Sequence, residues 1–316
     1  MSLHEPEFQP WNISENQFPK EGTKTEQLKF LLNYAILAPS SHNTQPWLFK
    51  IIGDNMVELY ADRTRALALV DPVDRALTIS CGAALSHLQI AIRHFGYAYK
   101  VEPFPDSNNK DLLSRVIVVN RKEPISEENS LFKAITERRT NRLKFEDREL
   151  DESLISKLRS TVTDKGGIEQ DTTIWLHIAK EEGEKNSLTD LIAEGDRIQL
   201  SDKRFRRELA SWIHSNRSHS KDGMPGYAFG YSDIMSHMGP FVLRTFDFGK
   251  GQAAKDRQLA AGSPVLAILG TRSDEPMDWL NAGMALSRML LAAQIENVWS
   301  FLNQPIEVPE LRPKVQ

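Results

Sequence analysis

The chain is 316 residues long with 40% hydrophobic and 26% charged residues, the balance of a folded globular protein rather than a disordered or fibrous one. A formal charge of -4, from 39 Lys and Arg against 43 Asp and Glu, supplies no basic field for a phosphate backbone and argues against nucleic-acid binding. The length allows about two ordinary domains or one double-sized unit, and the single cysteine, Cys81, excludes an internal disulfide, a CxxC redox pair and a thiolate zinc site.

No run of about 18 apolar residues is present, so no membrane span is expected. The first residues are polar, with Glu5, Glu7 and Glu15 where a secretory signal carries basic residues followed by an apolar stretch, and a reducing, cytoplasmic location is the expectation.

In chain order, Thr23 and Glu26 form a capping-box pattern, and Leu28, Leu31, Leu32, Ala35 and Ile36 follow at helical spacing until Pro39. Trp47 to Ile52 and Met56 to Ala61 flank Gly53-Asp54-Asn55 and predict a hairpin. Asp71 and Pro72 open a helix reaching Phe95 that is apolar on nearly every face, the mark of a central buried helix. Strands are predicted over Tyr97 to Phe104 and Ser114 to Asn120, then a helix from Ser130 to the RRTNR run and another capped by Asp151. Beyond these come a strand from Thr172 to Ile178, helices marked by Leu188, Leu191 and Ile192 and by Phe205, Leu209, Trp212 and Ile213, and a buried strand from Pro264 to Leu269. Pro276 opens a second apolar helix to about Glu296, followed by a strand from Val298 to Leu302. This order is mixed α+β without regular βαβ alternation.

The two apolar helices echo each other: Gly82, Ala84, Leu85, Ser86 and Ala91 recur as Gly283, Ala285, Leu286, Ser287 and Ala292 at a constant offset of 201. Each is followed by a strand-like run, which suggests two related halves. Between Ser215 and Gly251, six glycines mingle with Tyr227, Phe229, Tyr231, His219 and His237, and an irregular stretch of that length suggests a lid.

Two short stretches concentrate hydrogen-bonding chemistry. APSSHNTQPW, Ala38 to Trp47, places Pro39, Ser40, Ser41, Asn43 and Gln45 on a corner between a helix stopped by Pro39 and a strand opened by Pro46. Neutral amides and hydroxyls on a rigid corner suit a planar heteroaromatic ligand, whose edge atoms need partners once water is excluded. A turn that satisfies its own backbone is the alternative. ERRTNRLKF, Glu137 to Phe145, sets Arg138, Arg139 and Arg142 around the hydroxyl of Thr140. Such a group can surround one phosphate, or it can be a solvated basic helix end.

Together these stretches resemble the FMN-dependent nitroreductase superfamily, and more narrowly its Acg-like subfamily, in which two nitroreductase-like halves are fused in one chain. The resemblance runs from about Glu26 to Lys314, through APSSHNTQPW, ADRTR, SCGAAL, RRTNR, FRRELASW, DGMPGYAFG, RTFDFGKGQAAKDR, GSPVLAILGT and LNQPIEVPELRPK. It implies an α+β, nitroreductase-like fold in which residues 23–125 and 126–316, the latter with the lid-like insertion at about 215–251, form an intramolecular pseudo-dimer. It also implies FMN as cofactor and NAD(P)H as reductant. By matching position, Arg138, Arg139, Thr140 and Arg142 would hold the phosphate end, while Pro39, Ser40, Ser41, Asn43 and Gln45 would line the flavin. One copy of each motif implies one FMN per chain, between the halves, with the second pseudo-symmetric site empty. Similar proteins continue past the position of Gln316 into a basic, proline-containing tail, for which Arg312 and Lys314 are the substitutes at hand.

The activity implied is reduction of a small-molecule acceptor, a nitroaromatic, quinone or similar compound, with the flavin carrying the hydride and no covalently catalytic side chain. A lid closed over the flavin implies the alternative, a flavin-binding or flavin-sequestering protein with little turnover. No GxSxG elbow, phosphate loop or HExxH helix is present. His214, His219 and His237 read as loop histidines rather than metal ligands, Asp62, Arg63 and Arg65 as a charge cluster, and Trp47 and Trp299 as core aromatics. No metal, nucleic acid or membrane is expected as a partner.

Overall fold

The computed structural model describes residues 10–121, 126–163, 174–247, 249–300 and 305–315. Helix α1 (Lys24–Ala35) begins on the expected reciprocal cap: Thr23 Oγ1 accepts from the Glu26 amide at 3.2 Å, and Glu26 Oε2 accepts from the Thr23 amide at 2.7 Å. Strands β1 (Trp47–Ile52) and β2 (Met56–Ala61) pair in antiparallel register from Trp47 opposite Ala61 to Ile52 opposite Met56. The turn between them needs a left-handed residue, which Gly53 supplies at φ +56°.

Helix α2 (Arg75–His94) starts four residues after Asp71, whose carboxylate accepts the amides of Arg75 and Leu77 at 2.8 and 2.9 Å. Asp71 therefore caps the helix from a distance, while Asp74 turns through the left-handed region at φ 59°. Strands β3 (Tyr97–Pro103) and β4 (Leu112–Arg121) complete an antiparallel sheet of order β1-β2-β4-β3, on which α2 lies.

Besides short 3-10 turns, the remaining described elements are α3 (Ser126–Glu137), α4 (Glu152–Thr163), β5 (Ile174–Ala179), α5 (Glu182–Ser201), α6 (Lys203–Ser211), β6 (Ile213–His214), β7 (Met224–Pro225), α7 (Asp233–Thr245), α8 (Gly249–Ala261), β8 (Leu266–Thr271), α9 (Pro276–Ile295) and α10 (Arg312–Val315). β5 and β8 form an antiparallel pair and β6 and β7 a short parallel one. Asp151 caps α4 as expected, accepting the Leu154 amide at 2.8 Å.

α2 and α9 cross with their backbones in contact. A Cβ built on Gly82 would overlap the Leu280 carbonyl oxygen, and one built on Gly283 would overlap the Ile79 carbonyl oxygen. The offset of 201 that relates Gly82 to Gly283 also relates Ile79 to Leu280, so these are one contact seen from either helix. Only glycine permits this approach at either position. Leu280, Met284 and Leu291 of α9 share one core cluster with Leu85 and Leu88 of α2, Val57 of β2 and Leu131 of α3. The core thus runs through both ends of the chain without a break.

Several expectations change. The stretch 215–251 is not irregular throughout: it contains α7, thirteen residues long despite Gly239 and an internal Pro240, and Ser232 caps it by accepting the Met235 amide. The predicted buried strand at 264–269 is β8, half-exposed, which among the described residues pairs with β5 alone. Trp47 is buried, but Trp299 is 46% exposed and is no core residue. The predicted strand Val298 to Leu302 extends beyond the described residues, within which Ser300 forms a parallel bridge with Thr140. Thr172 and Thr173, at the start of another predicted strand, also lie outside them.

Candidate functional site

A cavity of about 890 Å³ opens beside the α2–α9 crossing, and both sequence motifs line it: Pro39, Ser40, Ser41, Asn43 and Gln45 on one side, Arg138, Arg139, Thr140 and Arg142 on another. α5, α6, α7 and α8 supply further walls, including Leu200, Phe205, Met235 and Val242. Residues about a hundred positions apart in sequence therefore face one space of the size that takes a small-molecule ligand, about 300–1,000 Å³.

The first motif follows α1 through a turn of 3-10 helix at Ser41–Asn43. His42, Asn43 and Gln45 all sit in the left-handed region, at φ 49°, 53° and 51°. Each such non-glycine residue is disfavoured by about 1–3 kcal/mol and persists only where its surroundings fix it. The fixing bonds are visible: Ser40 Oγ accepts the Gln45 amide at 3.0 Å, and Ser80 Oγ of α2 accepts the Ser41 amide at 3.4 Å. Part of the motif thus satisfies its own backbone.

Its two side-chain amides are engaged by a strap, residues 221–223. Asn43 Nδ2 donates to the carbonyl oxygens of Gly223 at 2.8 Å and Lys221 at 3.3 Å, and Gln45 Nε2 donates to Lys221 at 2.6 Å. The Gly223 amide returns a bond to the Asn43 carbonyl at 2.9 Å. Gly223 adopts φ +68°, and a Cβ there would run into the His214 ring. Arg65 closes the latch, donating to Asp222 at 2.7 Å and to the Thr44 carbonyl at 2.9 Å. Burial raises the Asp222 carboxyl, but bonds from Ser220 and Arg65 outweigh it and hold the group below the usual carboxylate range. The Asp62, Arg63 and Arg65 cluster is therefore structural, since Arg63 pairs with Asp74 and with Asp111 at 2.5 Å.

The second motif leaves α3 and is anchored to the segment after α9, where the Asn141 amide donates to the Ser300 carbonyl at 2.9 Å. Its guanidinium groups are poorly matched. Among the described residues Arg138 reaches only Thr140 Oγ1, at 3.5 Å, and its Nε, sealed from solvent, has no hydrogen-bond partner. Arg139 donates to the carbonyls of Thr136 and Arg138, each at 2.8 Å, and lies over the Trp11 ring. Arg142 lies over Phe229 and touches Met224 Sδ at 3.7 Å. Among the described residues, none of the three forms an ion pair with a carboxylate. Burial, and then the neighbouring Arg139 charge, push Arg138 down to about 10; burial also lowers Arg139 and Arg142.

Sequence reasoning missed four titratable groups on the cavity wall. Asp196 of α5 and Asp256 of α8 face each other there, with Gln252 Nε2 donating to Asp256 Oδ1 at 2.8 Å. Burial raises both carboxyls, and the Asp256 charge raises Asp196 further, so the pair holds protons more readily than two solvated carboxyls. Burial, and then Asp71, push Glu307 up to about 8. His42, inside the first motif, completes the set. Asp196 and Asp256 lie in charge-rich helical segments that read as solvated faces, and no local signal marks them.

Residues 13–92, which include the first motif but not the arginines, match the family model described as "Putative TM nitroreductase". Over 294 residues the chain is 29% identical to the "Putative NAD(P)H nitroreductase Rv3131" of Mycobacterium tuberculosis, covering 92% of this chain and 80% of that protein. It is also 29% identical over 279 residues to the "Putative NAD(P)H nitroreductase acg" of the same organism, covering 87% and 79%. A shorter stretch of 76 residues is 37% identical to the "Probable NAD(P)H nitroreductase PigM" of a Serratia species, covering 24% and 21%. Among the described residues no helix is long and apolar enough to cross a membrane.

Proposed function

For a chain that carries a nitroreductase-like domain and resembles NAD(P)H nitroreductases over most of its length, we propose an FMN-dependent oxidoreductase in which NAD(P)H is the reductant and a nitroaromatic, quinone or similar small molecule the acceptor. The observation that carries the cofactor is the arginine set. Three guanidinium groups, lowered by burial and with no carboxylate at ion-pair distance among the described residues, face a cavity of about 890 Å³. Buried cations are stable only when paired, and a phosphate monoester supplies that pairing through charge-assisted bonds.

In this reading Arg138, Arg139, Thr140 and Arg142 hold the phosphate, while Pro39, Ser40, Ser41, Asn43 and Gln45 form the wall along the ring and its side chain. Bound there, FMN supplies hydride acceptance and delivery. The chain orients it, excludes water with α7 and the strap, and sets the charge around it. No covalently catalytic side chain and no metal are required.

We further read residues 23–125 and 126–316 as two halves of an intramolecular pseudo-dimer. The reciprocal contact of Gly82 with Leu280 and of Gly283 with Ile79 favours this, because self-complementary contacts are what a two-fold interface produces. One motif in each half, both on one cavity, favours a single FMN per chain.

A second reading has its own observation. Asn43 and Gln45 spend their amide donors on the strap, and Arg65 with Asp222 locks it. A strap fastened in this way favours a flavin-sequestering protein that excludes nicotinamide and acceptor. Anaerobic mixing of the flavin-loaded protein with NADPH and with NADH separates the two. Bleaching of the flavin absorption at a catalytic rate supports the oxidoreductase, whereas a spectrum changed only by dithionite sinks it. Released flavin should approach one per chain, and a reproducible value near two would overturn the single site.

A further inference from the structure

His42 belongs to the first motif and feels the charge of Arg142 from the second, and neither motif's expected role includes it. It lines the cavity on a left-handed backbone, at φ 49° and ψ 19°, which aims its ring differently from an ordinary turn residue. Its Nδ1 is sealed from solvent and has no hydrogen-bond partner among the described residues. A buried polar atom without a partner is disfavoured and calls for an explanation, and its backbone conformation is disfavoured as well. Both features at one residue on a cavity wall point to a ligand.

The charges that line the same cavity, of which Arg142 acts on the His42 ring, say which ligand. Arg138, Arg139 and Arg142 come from the segment after α3, Lys221 from the strap, Asp196 from α5, Asp256 from α8 and Glu307 from the 3-10 turn at Pro305–Glu307. The three carboxyls are raised by burial and carry less negative charge than their number implies. Burial, and then the Arg142 charge, push His42 down to about 4, so the ring is neutral at pH 7 beside a cation. An anion against Arg142 reverses the local field. It cancels the charge that opposes protonation and offers an acceptor to the new N–H.

We propose that His42 is a further ligand-binding residue, which takes up one proton when a phosphate group docks beside Arg142 and then donates a hydrogen bond to it. This rests on the reading of the arginines as a phosphate site, and it does not depend on whether the phosphate belongs to a flavin, a nicotinamide dinucleotide or free phosphate. The proton comes from solvent, and no covalent bond changes. Binding therefore tightens as pH falls through the bound-state value of His42 and levels off near its free value.

The test is calorimetric titration of the purified chain, stripped of flavin, with FMN, NADPH and inorganic phosphate at pH 7, in two buffers of different ionisation enthalpy. His42→Asn serves as control, since asparagine accepts the left-handed backbone. The difference between wild type and variant removes the titration of the phosphate and of the carboxyls. We expect the wild type to take up close to one proton more than H42N, with H42N binding about tenfold more weakly. Uptake that is equal in the two proteins overturns the role of His42 even if FMN binds tightly. Extra uptake with phosphate or NADPH, but no binding of FMN, supports His42 and overturns the flavin reading. Binding of none of the three overturns both. Imidazole nitrogen shifts of the wild type alone decide the matter should the variant not fold: saturating ligand should move His42 towards the protonated state at pH 7, and an unmoved ring sinks the idea.

Discussion

The two motifs share one cavity and stand in opposite physical states. The Asn43 and Gln45 amides are satisfied within the protein, by strap carbonyls at 2.6 to 3.3 Å. Two of the arginines are not: among the described residues Arg138 Nε has no hydrogen-bond partner, and Arg142 meets a thioether and an aromatic ring but no carboxylate at ion-pair distance. One wall therefore contributes to stability without a ligand, whereas the other, in the reading proposed above, is a reserve of binding energy that the fold by itself keeps at some cost. Which residues in a binding motif face a ligand is decided by what else the fold offers them.

The largest test of this contrast is the pair of substitutions Arg138→Ala and Arg142→Ala. Charge-assisted bonds contribute about 1.5–3 kcal/mol each, so FMN affinity should fall by about 10²- to 10⁴-fold in a fluorescence titration. The thermal midpoint of the flavin-free protein should stay level or rise, because two uncompensated charges are gone. A fall of several degrees would mean that the arginines are compensated inside the fold.

Asn43→Ala with Gln45→Ala should behave in the reverse way. Loss of the strap bonds should reduce stability by about 1–3 kcal/mol, with faster amide exchange across 221–224 and only a few-fold loss of phosphate affinity. If affinity falls as far as in the arginine variant while strap exchange is unchanged, the assignment of the two walls is inverted.

The smallest expected effect concerns acid. The Asp222 carboxyl lies below its unfolded value, so the stabilisation it provides is present above about pH 4 and is lost as pH falls through the folded value. Strap amides should exchange faster below about pH 4, and Asp222→Asn should abolish that dependence. The side chain is partly exposed, so the effect should be under about 1 kcal/mol.

Much of the fold was legible because local chemistry and tertiary structure agree. The β1–β2 hairpin matches its predicted bounds, since alternation and Gly53 both dictate it, and the Thr23–Glu26 cap sets the start of α1. α7 was hidden by Gly239 and Pro240, which disfavour helix locally, while its cap at Ser232 is a single residue among many serines. The strap was hidden for another reason: its bonds to Asn43 and Gln45 use backbone carbonyls, which every residue has. The Asp196–Asp256 pair shows the same limit, because only packing of α5 on α8 turns two apparently solvated carboxyls into a buried pair, both raised. The arginines were legible as chemistry, and their burial away from ion-pairing carboxylates among the described residues emerged only in three dimensions.

The glycine crossing of α2 and α9 also sets a timetable. Gly82 leaves the ribosome 201 residues before Gly283, an interval of about 10–40 seconds at 5–20 residues per second. For that period α2, apolar on nearly every face, has its sheet and α1 but not the helix that its glycines are shaped to meet. A protein built this way assembles its centre last, and the nascent chain depends on whatever shields that helix until its counterpart arrives.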